Sequence, residues 1–308
     1  MSIRFDGRVA IVTGAGNGLG RAHALGLAQR GAKVVVNDLG GSTDGRTGAS
    51  LSAADAVVQE IRRAGGEAIA HGADVSDEAQ VKAMVDATLS AWGRVDILVN
   101  NAGIIRDKSF GKMEIADFRR MIDVHLVGTT ICTHAVWNLM RAQNYGRIVL
   151  TSSTAGLYGS FAQAGYASAK AAMLGLMNVL HIEGIKHDIR VNLLAPWAST
   201  RLTGSLLPKE ALDMMTPESV TPGVLYLVSE NAPARVILGA GSGCFARIRL
   251  LESEGLFFPQ DERTPEAIAA HFDDISSQDN CIELKDTFEQ NRKNLTMAAN
   301  ALGIAPPL

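Results

Sequence analysis

The chain of 308 residues carries 29 Lys and Arg against 32 Asp and Glu, a formal charge of −3, with 47% apolar and 20% charged residues. So small a charge offers no electrostatic footprint for nucleic acid or an anionic membrane, and no 18-residue apolar run is present to span a bilayer. The length suits one globular domain burying roughly three quarters of its unfolded surface, with room for a small appendage.

From residue 8 to about 200, short β-branched runs alternate with longer helical patterns. Val9–Thr13, Lys33–Asn37, Glu67–His71, Val95–Asn100, Arg147–Thr151 and Ile189–Ala195 are predicted as strands. Between them, Arg21–Arg30, Ala53–Ala64, Asp77–Ala91, Glu114–Arg141 and Tyr166–Glu183 are predicted as helices. Such alternation implies an α/β fold, a doubly wound parallel sheet with helices on both faces. The run from Leu39 to Gly48 holds four glycines and no apolar period, so it is expected as an extended loop. Beyond Leu250 the composition becomes more polar, with Pro259, Pro265 and a helix expected over Glu266–Asp273. The division expected is a main domain over 1–250 and a small C-terminal extension over 251–308 packed on it, with Asn294–Leu308 frayed.

Cys132, Cys244 and Cys281 stand far apart, without C-x-x-C or His spacing, so no disulfide framework and no metal site is expected. Free thiols fit a reducing compartment, taken as the cytoplasm. The first twelve residues lack the apolar stretch of a signal peptide, and Ala305-Pro306-Pro307-Leu308 is no targeting address.

After the first strand comes Thr13-Gly14-Ala15-Gly16-Asn17-Gly18-Leu19-Gly20. Gly14, Gly18 and Gly20 permit a tight turn and close approach of backbone to a pyrophosphate, which the following helix N-terminus attracts. The strict G-x-G-x-x-G spacing fails at Leu19. Asp38, at the end of the second strand, is placed to accept both hydroxyls of an adenine ribose and to repel a 2′-phosphate. No Arg or Lys stands at Asn37, Leu39, Gly40 or Gly41, so NAD is expected over NADP.

Tyr166 and Lys170 are four residues apart at the start of a predicted helix and so share a face. A neighbouring ammonium is expected to lower the phenol pKa from about 10 toward neutrality, making Tyr166 an acid/base for the hydroxyl proton of an alcohol losing hydride. Ser153, just past the fifth strand, is placed to hydrogen-bond the substrate oxygen.

With these residues in place, the chain resembles the short-chain dehydrogenase/reductase family over residues 10 to 245. Asn100-Asn101-Ala102-Gly103 matches that family's motif after the fourth strand, with Asn101 beside the cofactor, and Asp74-Val75 matches its adenine-contacting pair. The resemblance puts Leu19, Ala198 and Thr200 against the cofactor as well, and gives Lys170 the ribose hydroxyls. Two departures stand out: His125 replaces the Asn of a proton relay, making it a candidate catalytic residue, and Pro196-Trp197-Ala198-Ser199-Thr200-Arg201 replaces the usual Pro-Gly. These departures are similar to the branch that oxidises (3R)-3-hydroxyacyl-CoA in β-oxidation, whose relatives also act on 17β-hydroxysteroids. A substrate lid is implied after the sixth strand, with Leu206 and Met214 toward the substrate. Family members pair through two long helices, which implies a homodimer or homotetramer. The function expected is NAD-dependent oxidation of a secondary alcohol to a ketone. The alternatives are a 17β-hydroxysteroid dehydrogenase, an NADPH-dependent ketoacyl reductase, which Asp38 opposes, and a non-catalytic dinucleotide sensor, which the joint presence of Ser153, Tyr166 and Lys170 opposes.

Overall fold

The computed structural model describes residues 2–48, 50–198 and 208–306. The short apolar runs form β1 (Val9–Thr13), β2 (Lys33–Asn37), β3 (Ala68–His71), β4 (Ile97–Asn100), β5 (Gly146–Thr151) and β6 (Ile189–Trp197). Every residue of β1, β4 and β5 is buried, as a sheet covered on both faces requires. Two further strands follow, β7 (Ile237–Gly241) and β8 (Cys244–Ile248). Their sequences hid them: β7 holds two glycines, and β8 is exposed through its first four residues. Among the described residues the eight strands form one sheet in the order β3-β2-β1-β4-β5-β6-β7-β8, parallel from β3 to β7. Ser242 and Gly243, both at positive φ, turn the chain back into β8 as a tight hairpin.

The helices of this part are α1 (Gly18–Gln29), α2 (Ser52–Arg63), α3 (Glu78–Trp92), α4 (Ile115–Ile122), α5 (Gly128–Gln143), α6 (Thr154–Tyr158), α7 (Ala164–Gly184), α8 (Lys209–Met214) and α9 (Thr221–Leu227). Local chemistry sets several ends. Asp77 accepts the amides of Ala79 and Gln80 at the start of α3, and Gly93, at φ 73°, ends it. The expected single helix over Glu114–Arg141 is broken. Between α4 and α5, Asp123–Val127 make a π-helical turn in which the Gly128 amide reaches the Asp123 carbonyl five residues back. One wide turn leaves the apolar period nearly intact, so the pattern did not register it; it buries both Val124 and His125.

The chain leaves β1 toward β2 and β3 on one side, then crosses to β4 on the other. The loops after β1 and β4 therefore diverge, and a crevice opens at the carboxyl edge of the sheet.

The chain divides into two compact units, residues 1–247 and 248–308. The second contains α10 (Pro265–Ala270), α11 (Phe272–Ile275) and α12 (Thr287–Leu302), with an antiparallel bridge between Glu252 and Ile282. Lys293 ties α12 to this bridge, donating to Glu252 at 2.8 Å and to the Ser253 carbonyl at 2.6 Å. The expected frayed end is in fact mostly helix: α12 is capped by Asp286, which accepts the Glu289 amide, and stopped by Gly303 at φ 67°.

Candidate active site

A cleft of about 700 Å³ opens over the carboxyl ends of the parallel strands. Its floor is the turn after β1. Gly14 adopts φ +64°, and a side chain there would press to 2.8 Å on the Ala102 backbone; at Gly20 one would collide with the Gly14 carbonyl and the Asn101 amide. The cradle therefore presents bare backbone ahead of α1. Asn101 holds this turn, donating to the carbonyls of Thr13 and Gly14 at 3.0 and 3.1 Å. Thr13 answers from the other side, its hydroxyl accepting the amides of Asn101 and Ala102, each at 3.0 Å. Sequence reasoning placed Asn101 here and missed Thr13, whose role depends on β1 and β4 being neighbours.

Asp38 follows β2 on the cleft wall, as do Gly18 and Leu19 at the start of α1. Its two carboxylate oxygens accept the amides of Gly16 and Gly40, both at 2.8 Å, so its position is held from both sides of the groove. Further along, Asp74 and Val75 line the cleft beyond β3. Burial works against the charge of Asp74, but the Ser76 amide and hydroxyl and the Arg120 guanidinium together hold its carboxyl below the usual range. Arg120 of α4 reaches Asp74 at 3.3 Å and Ser76 at 3.0 Å. Nothing in the sequence pattern singled out Arg120, which stands 46 residues from its partner.

At the other end of the cleft, Ser153 caps α6, its hydroxyl accepting the Ala155 amide at 3.1 Å. Tyr166 and Lys170 project from successive turns of α7, with Ser153 close enough to the Tyr166 phenol to favour its ionised form. Lys170 is buried and donates to the Thr151 carbonyl at 2.6 Å; its ammonium lies 5.7 Å from the Tyr166 ring centroid. Burial pulls the Lys170 ammonium down to about 7. The Tyr166 phenol moves opposite to expectation: burial pushes it up, the neighbouring Ser153 hydroxyl pulls it down, and the Asp107 charge adds to the rise. The expected lowering assumed a close ammonium, whereas the carbonyl of Thr151 holds that group.

His125 lies beside this group, its ring edge-on to Tyr166 with centroids 5.1 Å apart. Its Nε2 is 2.7 Å from the Ile104 carbonyl and so carries the proton. Burial and the Lys170 charge bring its pKa down to about 3, leaving the imidazole neutral at physiological pH. His125 Nδ1 and Thr151 Oγ1 are buried without hydrogen-bond partners among the described residues, and both side chains line the cleft.

Ala198 is on the cleft wall after β6, next to the half-exposed Trp197. Thr200, Leu206 and Arg201 lie outside the described residues. Met214 does not reach the cleft: it ends α8 with 66% of its surface exposed. Its neighbour Met215, just past the helix, is buried.

A family model described as short chain dehydrogenase matches residues 8–210. The chain belongs to the short-chain dehydrogenase family. It is 46% identical over 91% of its length to peroxisomal multifunctional enzyme A of Dictyostelium discoideum, and 46% identical over 89% to peroxisomal multifunctional enzyme type 2 of Mus musculus. It spans only 62% and 37% of these two relatives. It is also 44% identical to a short-chain type dehydrogenase/reductase of Mycobacterium tuberculosis, covering 87% of this chain and 94% of that one. Among solved structures, full-length peroxisomal multifunctional enzyme type 2 of Drosophila melanogaster superposes with a TM-score of 0.81 at 34% identity, covering 97% of this chain and 51% of that one. A 7α-hydroxysteroid dehydrogenase complexed with NADH and 7-oxo glycochenodeoxycholic acid superposes with a TM-score of 0.70 at 33% identity, covering 78% of this chain and 95% of that one. Short-chain dehydrogenases are oxidoreductases that use a nicotinamide dinucleotide and a small-molecule substrate, and this chain is one of them. The expectation of a cytoplasmic protein is corrected by the peroxisomal names of the relatives, because scattered free thiols report a reducing compartment without saying which. No helix among the described residues is long and apolar enough to cross a membrane.

Proposed function

We propose that this chain oxidises the secondary alcohol of a (3R)-3-hydroxyacyl-CoA to the ketone with NAD. The observation that carries the reading is the position of Ser153, Tyr166 and Lys170 at one end of a cleft whose other end holds the doubly anchored Asp38. The residues fit a dinucleotide: bare backbone at the Gly14 turn, a helix N-terminus behind it, a fixed acceptor at Asp38, and two cleft-lining side chains, Thr151 and His125, whose Oγ1 and Nδ1 are buried without partners among the described residues. Gly14, Gly18, Leu19, Gly20, Asp74, Val75, Asn101 and Ala198 would shape the rest of its berth. When bound, the nicotinamide accepts the hydride of the carbinol carbon.

Ser153 orients the substrate hydroxyl and Tyr166 takes its proton. Lys170, held by the Thr151 carbonyl and four residues along the same helix, would take the ribose hydroxyls of the nicotinamide half. His125 acts as a positioning residue: neutral and tied to the Ile104 carbonyl, it holds the Tyr166 ring by its edge. Asp38 supports NAD over NADP. Arg46 also lines the cleft, but Asp44 at 3.6 Å and Asp117 at 3.7 Å engage it, so among the described residues no free cation stands beside Asp38 to welcome a 2′-phosphate.

The acyl-CoA substrate is supported by the multifunctional-enzyme relatives together with the departures at His125 and Trp197. A homodimer through the long helices is supported by Val179, Ile182 and Ile185, which stand about half exposed on and just beyond α7; sedimentation at micromolar concentration tests it. The function is tested by following NADH formation with (3R)-3-hydroxyacyl-CoA and with estradiol, each with NAD and NADP. Turnover of the CoA ester with NAD is expected; turnover of the steroid alone overturns the substrate, and preference for NADP overturns the cofactor.

A further inference from the structure

The expected extended loop after β2 is a folded wall. Residues from Gly41 to Gly48, Asp44 apart, line the dinucleotide half of the cleft. The loop closes on itself: the Ser42 amide donates to the Thr47 carbonyl at 2.8 Å, the Gly45 amide to the Ser42 carbonyl at 2.9 Å, and the Ser42 hydroxyl accepts the amides of Arg46 and Thr47 at 3.1 Å. It has no apolar core of its own, so what keeps it over the groove must come from elsewhere.

Three contacts supply that hold. The Ile105 amide donates to the Thr43 carbonyl at 3.0 Å, Arg106 Nε donates to the Asp44 carbonyl at 2.8 Å, and Gly45 lies against the Ile104 side chain. Arg106 is itself gripped by Asp117 at 2.9 Å, in a pair where the side chains are 14% and 7% exposed. Arg46 and Lys108 stand 3.7 Å from the same carboxylate, one on each oxygen. Asp117 belongs to the first turn of α4, and Arg120, one turn on, holds Asp74 at the adenine end. One short helix thus braces two walls of one groove.

We propose that the Arg106–Asp117 pair is a latch that fixes the 40–48 loop over the bound dinucleotide, making Arg106 and Asp117 positioning residues for cofactor binding. The inference rests on the dinucleotide reading of the cleft. Without Asp117, Arg106 is a buried cation lacking its counter-ion; it turns to solvent and releases the Asp44 carbonyl. If the loop is then closed in a tenth of the molecules, apparent cofactor affinity falls about tenfold.

The loop carries its own reporter, because Arg46 is the sole Lys or Arg between Lys33 and Arg62. Limited trypsin digestion of the ligand-free full chain reads opening of the loop as cleavage after Arg46, and a fluorescence titration with NADH reads binding. In Asp117→Ala and Arg106→Ala, cleavage after Arg46 is expected to accelerate and the NADH Kd to weaken, each about tenfold, with the double variant no worse than either single one. A purely structural defect would raise cleavage at all sites together. Arg106→Lys keeps the charge opposite Asp117 but loses the bond to the Asp44 carbonyl, and should fall between wild type and the alanine variants; it decides the matter if those fail to fold. Unchanged cleavage after Arg46 in the folded variants overturns the latch, as does an NADH Kd unmoved from wild type. Failure of wild type to bind NADH overturns the dinucleotide reading instead, and the ligand-free cleavage still judges the latch.

Discussion

Lys170 gives its ammonium to the Thr151 carbonyl at 2.6 Å, and no hydrogen bond joins it to the phenol of Tyr166 four residues earlier. Its influence on that phenol is therefore through space. Burial brings Lys170 to about 7 in the folded chain against 10.5 in the open one, so the folded state binds fewer protons between those values and stability rises with pH across them. Below pH 7 the full cost of a buried cation is present. Lys170→Met should accordingly be more stable than wild type at pH 6, by about 2 kcal/mol, with the gap shrinking toward pH 9. Thermal melts of both proteins across that range check the sign; a constant gap would contradict the buried-cation account.

Replacing Tyr166 by Phe removes the phenol and leaves the ring that His125 contacts. Turnover should drop by roughly a thousandfold while the NADH Kd stays near the wild-type value. A variant that keeps turnover would move the proton acceptor elsewhere.

Asp38 both faces the groove and anchors Gly16 and Gly40. In Asp38→Ala, kcat/KM with NAD should fall roughly tenfold and its ratio to kcat/KM with NADP should shrink, because the charge that repels a 2′-phosphate is gone. Steady-state rates with both cofactors measure this directly.

His23 and His125 are fully buried, and burial takes each to about 3 from the ordinary 6.5. The unfolded chain binds their protons first as pH drops, so stability is intact above pH 6.5 and is lost below it. Each should contribute a fall of about 1.4 kcal/mol per pH unit between pH 5.5 and 4. His23 packs in α1 with its Nδ1 3.0 Å from the Thr221 hydroxyl, away from the cleft, so His23→Gln should flatten the urea-derived slope by one proton.

Asn101→Ala takes the donor from two carbonyls of the Gly14 turn. A loss of about 2 kcal/mol in urea unfolding is expected, together with weaker NADH binding as the turn relaxes.

The parallel sheet was legible because each central strand is a short apolar run buried on both faces, a property that neighbouring residues carry between them. β7 and β8 were not, since glycines and exposed positions blur the pattern until β6 offers an edge to pair with. Glu114–Arg141 read as one helix for a similar reason: a single π turn shifts its period too little to show.

By itself, the sequence determined the sheet-and-helix alternation, the glycine turn, the carboxylate after β2 and the shared helical face of Tyr166 and Lys170, because each follows from spacing along one segment. The tertiary structure alone decided that Lys170 faces the Thr151 carbonyl, that burial raises Tyr166 and silences His125, and that Arg106, paired with Asp117, reaches a loop carbonyl 62 residues earlier in the chain. Burial and partner distance set those properties, and both are fixed only when distant segments pack together.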